Sequence, residues 1–97
     1  MASSKAFRDF IMEHFSDLED ITYRPMMGEF LLYYNGVLFG GIYDDRLLVK
    51  ITKNNSKFNL PEAIPYEHAK PMFLVVDLED RETLSKVILA TVNDLKN

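Results

Sequence analysis

The sequence has no cysteine and no tryptophan among its 97 residues. Without cysteine the chain can form no disulfide, thiolate zinc site or CxxC redox centre, and this composition suits the cytoplasm, where we expect the protein to act. Acidic residues outnumber basic ones by 15 to 11, which gives a formal net charge of −4. Because phosphate binding depends on Lys and Arg displacing counterions, we do not expect direct nucleic-acid binding.

Long apolar runs are absent as well. No stretch approaches the roughly 18 apolar residues of a membrane span, and no basic segment followed by an apolar one opens the chain, so we expect neither membrane insertion nor secretion. A length of 97 residues fits one domain, expected over residues 1–97 and large enough to fold around its own core without disulfides.

The patterns of common enzymes and metal sites are also missing. His14 and His68 are the only histidines, and they form no HxH, HxxxH or HExxH pair. The four glycines match neither GxGxxG nor a phosphate-binding loop, no GxSxG is present, and the acidic stretch 77–82 lacks the glycine of a calcium loop. We therefore expect no catalytic residue, no metal and no cofactor.

An amphipathic helix is predicted near each end of the chain. Ser3 or Ser4 can cap the first helix and Asp77 or Asp80 the second. The apolar residues at helical spacing are Phe7, Phe10, Ile11, Phe15 and Leu18 in the first, and Leu84, Val87, Ile88, Val92 and Leu95 in the second.

Between the helices, residues 21–50 read as antiparallel strands joined by tight turns. Asn35-Gly36 favours a two-residue type I′ turn, which predicts a hairpin with Tyr34 opposite Val37 and Leu32 opposite Phe39. Asp44-Asp45 is a second turn candidate, and a two-residue loop there would place Ile42 opposite Leu47.

Proline and glycine give this strand region further detail. Pro25 restricts residues 21–27 to a short edge strand or an extended approach to Gly28, and Gly40-Gly41 indicates a bulge or tight sheet curvature. Residues 53–70 look irregular but carry apolar anchors such as Tyr66, and residues 72–77 predict one more strand. The fold class is therefore α+β, an antiparallel sheet of about five strands flanked by an N-terminal and a C-terminal helix.

Strict alternation along the meander sorts its side chains onto two faces. The predicted core face holds Leu31, Tyr33, Leu38, Ile42, Leu47, Val49 and Ile51. The other face is aromatic and holds Phe30, Leu32, Tyr34, Val37, Phe39, Tyr43, Arg46, Leu48 and Lys50. Because soluble proteins rarely expose large apolar patches, we expect the segment 53–70 or a second subunit to cover the aromatic face, which makes a homodimer possible.

Residues on and beside this aromatic face form the candidate surface for a partner or ligand. They are Arg24, Met26, Met27, Gly28, Tyr34, Phe39, Tyr43 and Lys50. Methionines suit adaptable contacts, and Lys50 could form a cation–π contact with Phe39. The alternatives are that Met26 or Met27 fills the core, that Gly28 only permits a turn and that Lys50 is solvated. A small-molecule site or minor enzyme on the aromatic face is the other functional reading.

Four motifs in this region resemble the N-terminal domain of the TfoX/Sxy family of competence regulators. They are Arg24-Pro25-Met26-Met27-Gly28, Tyr33-Tyr34-Asn35-Gly36, Phe39-Gly40-Gly41 and Leu47-Leu48-Val49-Lys50. The resemblance implies a non-enzymatic module that acts through protein contacts. In longer members this domain precedes a helical C-terminal domain, and those proteins act as co-activators with a cyclic-AMP receptor-type transcription factor. We expect the present chain to be a short member without the second domain.

Overall fold

The computed structural model describes residues 2–96. In chain order its elements are α1 (Lys5–His14), β1 (Ile21–Met26), β2 (Glu29–Tyr34), β3 (Val37–Ile42), β4 (Leu47–Val49), a 3₁₀ helix (Asn55–Phe58), β5 (Glu62–Ala63), β6 (Met72–Leu74) and α2 (Arg81–Leu95). The strands form one antiparallel sheet in the order β1-β2-β3-β4-β6-β5. The α+β class is confirmed, with six strands instead of about five. The additional strand, β5, has two residues and was predicted as irregular chain, since so short a pairing leaves no periodic pattern.

Both helices begin at a predicted capping residue. The Ser4 hydroxyl accepts a hydrogen bond from the Phe7 amide at 3.0 Å, and an Asp80 carboxylate oxygen accepts one from the Thr83 amide at 3.1 Å. Each bond satisfies an amide that the first helical turn leaves without a backbone partner. In residues 2–96 neither helix is long and apolar enough to cross a membrane.

Tight turns connect the first four strands. Asn35-Gly36 has φ values of 48° and 83°, and Asp44-Asp45 has 53° and 55°, so both turns have the two positive φ angles that type I′ requires. Met27-Gly28 forms a third such turn, with 51° and 86°, between β1 and β2. The predicted hairpin and the predicted pairing of Ile42 with Leu47 are both confirmed.

A bulge in β3 changes the predicted faces of the sheet. Tyr34 pairs with Val37 and Tyr33 with Leu38 as expected, but Leu32 pairs with Gly40 and not with Phe39. Phe39 is therefore an extra residue on the β3 side, next to the glycines that indicated a bulge. A bulge shifts the alternation by one residue, so strict alternation across it assigned half of the meander to the wrong face.

The aromatic face of the first hairpin is the core face. Leu32 and Phe39 are fully buried, and Phe39 packs edge-on against Phe15, the residue that ends α1, with 6.3 Å between ring centroids. Both helices pack on this side, and the core contains Ile11, Phe15, Phe30, Leu32, Phe39, Ile42, Leu47, Val49, Phe73, Val75, Leu84, Val87, Ile88 and Val92. The assignment of Ile42, Leu47 and Val49 to the core is confirmed.

Four assignments to the core face are wrong. Leu31, Tyr33 and Leu38 are half-buried on the opposite face, and Ile51 is exposed. Phe30, Leu32 and Phe39 lie in one core with residues of both helices. Phe58 and Leu60 of the segment 53–70 also pack against this core, so the segment contributes to the cover of the aromatic face together with the helices. The homodimer stays a prediction, but no second subunit is needed to cover the aromatic face.

Candidate functional site

The face of the sheet away from the helices carries an open groove with two lobes. The first lobe has a volume of about 750 Å³ and is lined by Met26, Leu31, Leu38, Gly40, Tyr43, Lys50, Ile51, Pro65, Tyr66, Ala69, Lys70, Pro71 and Met72. The second has a volume of about 630 Å³ and is lined by Ala2, Met26, Met27, Glu29, Tyr43 and Tyr66. Because Met26, Tyr43 and Tyr66 border both lobes, the two lobes adjoin each other along this face.

Tyr43 lies at the junction of the two lobes. Its side chain is only 6% exposed, and its ring lies 5.9 Å from that of Tyr66, centroid to centroid. A Cβ atom on Gly41 would come within 2.6 Å of the Tyr43 ring and 2.8 Å of the Phe30 carbonyl oxygen. The missing side chain of Gly41 therefore allows the Tyr43 ring to lie directly against the strand.

Arg46 holds the opposite wall of the groove in place. Its guanidinium donates hydrogen bonds to the carbonyl oxygens of Ile64 at 3.1 Å and Pro65 at 3.4 Å, and its Nε donates to the Tyr43 carbonyl at 3.1 Å. These bonds tie the segment 64–66 to the turn after β3, which positions Tyr66 beside Tyr43. Sequence reasoning gave Arg46 no role, because nothing local indicated that the distant segment 64–66 would meet it.

The electrostatic character of the groove differs between its two lobes. Lys50 and Lys70 line the first lobe, no Asp or Glu lines it, and neither lysine forms an ion pair with any residue from 2 to 96. The second lobe contains Glu29, whose carboxylate accepts hydrogen bonds from the Ser3 hydroxyl and from the Asp44 amide at 3.0 Å. The first lobe is therefore basic, and the carboxylate of the second is already hydrogen-bonded within the chain.

Burial raises the pKa of the Tyr43 phenol above its ordinary value, and the neighbouring Tyr66, Glu29 and Tyr33 raise this pKa further. The phenol therefore stays protonated at neutral pH. A protonated phenol at the junction of the lobes can donate a hydrogen bond to a bound molecule.

The structure brings half of the predicted site residues to this groove. Met26, Met27, Tyr43 and Lys50 line it. Arg24 is exposed and pairs across the sheet with Leu31, a lining residue, so its side chain projects from the groove face.

Three other predicted site residues have structural roles or positions away from the groove. Gly28 supplies the second positive φ of its turn, with Ala2 packed so closely that a Cβ atom would lie 2.9 Å away. Phe39 lies in the core, and Tyr34 is half-buried against the core. The predicted cation–π contact between Lys50 and Phe39 is wrong because the bulge puts the two side chains on opposite faces of the sheet.

Neither histidine contributes to the groove. The His14 ring packs on Phe10 in α1 at 4.2 Å between centroids, and its Nδ1 lies 2.8 Å from the Phe10 carbonyl oxygen. His68 is exposed and lies 3.5 Å from the carboxylate of Glu67. Over residues 2–96, no group of three or more His, Asp or Glu side chains lies close enough together to hold a metal ion.

An antiparallel sheet with two helices on one face and an open groove on the other defines a small α+β fold. The sequence profile of the TfoX N-terminal domain matches residues 13–93 of the 97-residue chain. The protein belongs to the TfoX N-terminal domain family. A comparison with curated proteins found no match.

Proposed function

We propose that the protein is a cytoplasmic, non-enzymatic interaction module that binds a partner protein through this groove and acts in the regulation of transcription. The observation that carries the proposal is the distribution of exposed apolar side chains. Met27, Ile51 and Tyr66 are large, exposed and line the groove, and the exposed Ile64 adjoins it. Contiguous exposed apolar surface of this kind marks interaction sites.

The turn at Met27-Gly28 supports the same proposal. Met27 is 98% exposed and has a φ of 51°, a conformation in which Asn, Asp or Gly is usual. Both the exposed thioether and the positive φ act against stability, and such local costs cluster at functional sites. Methionine adapts readily to partner surfaces, so a contact at the tip of this turn would explain the residue.

Reconstitution with purified components tests the proposal. A partner is first captured on the wild-type protein, expressed separately, and its affinity is then measured for wild type, Tyr66→Glu and Leu89→Glu. Leu89 is the matched control because it is an exposed apolar residue on α2, on the other side of the sheet. We expect Tyr66→Glu to abolish binding and Leu89→Glu to retain it. Equal binding by both variants would place the contact away from the groove and overturn the proposal.

The groove volume favours a small molecule as a second candidate occupant. About 750 Å³ in the first lobe lies within the roughly 300–1,000 Å³ range of ligand pockets. Because the aromatic face is filled by the core, this candidate concerns the groove and not the face where it was expected. Native mass spectrometry of protein purified from its own cells tests it, since a bound compound that disappears in Tyr66→Glu would support this reading.

A further inference from the structure

The first lobe combines apolar walls with positive charge. Lys50 and Lys70 line it together with Leu38, Ile51 and Met72, and the cross-strand register that pairs Val49 with Phe73 brings Lys50 next to Met72. Neither lysine has an ion-pair partner in the described part of the chain. The first lobe is therefore positively charged, whereas the protein as a whole has a net charge of −4. Such a lobe complements an occupant that carries an anionic group.

The second lobe differs from the first in its charge and complements a different chemical group. Ala2, Met26 and Met27 give it apolar walls, and Glu29 would repel an anionic group placed there. The carboxylate of Glu29 is already engaged by Ser3 and Asp44, so it is poorly placed to bind a cation. Apolar side chains are therefore the complement of the second lobe.

We propose that the groove binds an extended segment of a partner protein, with an acidic side chain in the first lobe near Lys50 and Lys70 and apolar side chains along Tyr43, Tyr66 and Met27. This inference rests on the proposed function. A peptide fits better than a compact ligand, because the two lobes adjoin each other and together are longer than either ligand-sized lobe alone. The charge asymmetry also fixes the orientation, with the acidic end of the segment in the first lobe.

Selection from a displayed library of random peptides tests the inference without a known partner. Three proteins are used: wild type, Lys50→Glu with Lys70→Glu, and Lys5→Glu with Lys57→Glu. The last is the matched control, since it changes the net charge equally with exposed lysines of α1 and the 3₁₀ helix. We expect wild type and control to select peptides with an acidic residue at one end followed by apolar residues. The groove variant should select a basic residue at that position.

Affinities of single peptides make the result quantitative. Replacing the selected Glu of a peptide by Gln should weaken binding to wild type by about tenfold to a hundredfold, the usual range for a charge-assisted hydrogen bond. The same replacement should have little effect on Lys50→Gln with Lys70→Gln, a neutral pair that keeps the groove apolar. Thermal unfolding of each variant shows that it is folded before binding is measured.

The results also separate the inference from the proposed function. Peptides that depend on Tyr66 but show no acidic preference would overturn the inference and leave the proposed function standing. If no selected peptide depends on Tyr66, both are wrong. A concentration-dependent dimer of wild type that is lost in the Lys50→Glu, Lys70→Glu variant would identify a second copy of this chain as the occupant and would overturn the inference.

Discussion

At the scale of single residues, Met27 is the position where stability and binding oppose each other most directly. Its φ of 51° suits Asn better than Met, and its side chain contacts little within residues 2–96. Met27→Asn should therefore raise the free energy of unfolding by about 1 kcal/mol, measured by urea denaturation. The same change should weaken binding of the selected peptides, because it removes the exposed thioether.

The reciprocal substitution is the control for this prediction. Asn35→Met places methionine at the equivalent position of the next type I′ turn, where φ is 48°. It should lower stability by a similar amount and leave peptide binding unchanged, since Asn35 lies outside the groove. A loss of stability in Met27→Asn would mean that the methionine side chain stabilises the fold.

A buried polar residue stabilises the region between β4 and α2. The Asn55 side chain is fully buried and donates hydrogen bonds to the Lys50 carbonyl and to the Thr91 hydroxyl, both at 2.7 Å. It also accepts a bond from the Thr52 amide at 2.9 Å. Asn55→Ala should lower the free energy of unfolding by about 2–4 kcal/mol, because it leaves several buried polar groups unpaired.

Asn93→Ala is the matched control for this second prediction. Asn93 is exposed on α2, so its replacement should change stability by less than about 0.5 kcal/mol. Thermal or urea unfolding of both variants decides the matter. An Asn55→Ala protein as stable as the control would show that water replaces the lost hydrogen bonds.

At the scale of the elements, the Asn35-Gly36 turn fixes the first hairpin. Asn35→Ala combined with Gly36→Val should destabilise the protein by about 2–4 kcal/mol, because both residues must then hold positive φ angles. Asn35→Gly, which permits the same turn, should stay close to wild type. The measurement is urea unfolding, and unchanged stability of the double variant would contradict the role assigned to this turn.

Elements defined by local chemistry could be predicted from the sequence, and the faces of the sheet could not. The caps at Ser4 and Asp80 and the turns at Asn35-Gly36 and Asp44-Asp45 depend on neighbouring residues only. The bulge at Phe39 depends on how β3 meets β2 and β4, and a Cβ atom on Gly40 would overlap the Leu48 carbonyl oxygen. Gly40-Gly41 indicated a bulge without giving its position, and one residue of shift inverts the faces.

At the scale of the whole molecule, the groove joins residues far apart in the sequence. Tyr43 was a predicted site residue, but its neighbours Tyr66 and Lys70 come from a segment without periodicity, positioned by Arg46. Sequence reasoning identified that segment as an apolar cover for one face of the sheet. It could not show that the segment leaves a groove open, because this depends on how two distant stretches pack.

Acid stability is the last prediction, and it also concerns contacts between elements. Hydrogen bonds from Thr83 lower the pKa of Asp80, and hydrogen bonds from Asn54 and Thr52 lower the pKa of Asp94. The second contact ties the start of the 3₁₀ helix to α2, with the Asn54 amide donating to Asp94 at 2.8 Å. Ionised carboxylates therefore stabilise both places.

The sign of the pH dependence follows from these lowered pKa values. Their stabilisation is fully present above the ordinary aspartate pKa of 3.8 and is lost as the pH falls through the lower pKa values of the folded protein. Stability measured by urea unfolding should fall below about pH 4, and Asp94→Asn should make this fall shallower, because the amide accepts hydrogen bonds without titrating. Asp17→Asn is the control, since Asp17 accepts no side-chain hydrogen bond within residues 2–96. In this variant the loss of stability at acid pH should be as steep as in wild type. If the stability of Asp94→Asn falls as steeply at acid pH as that of wild type, the contact between Asn54 and Asp94 does not persist in solution.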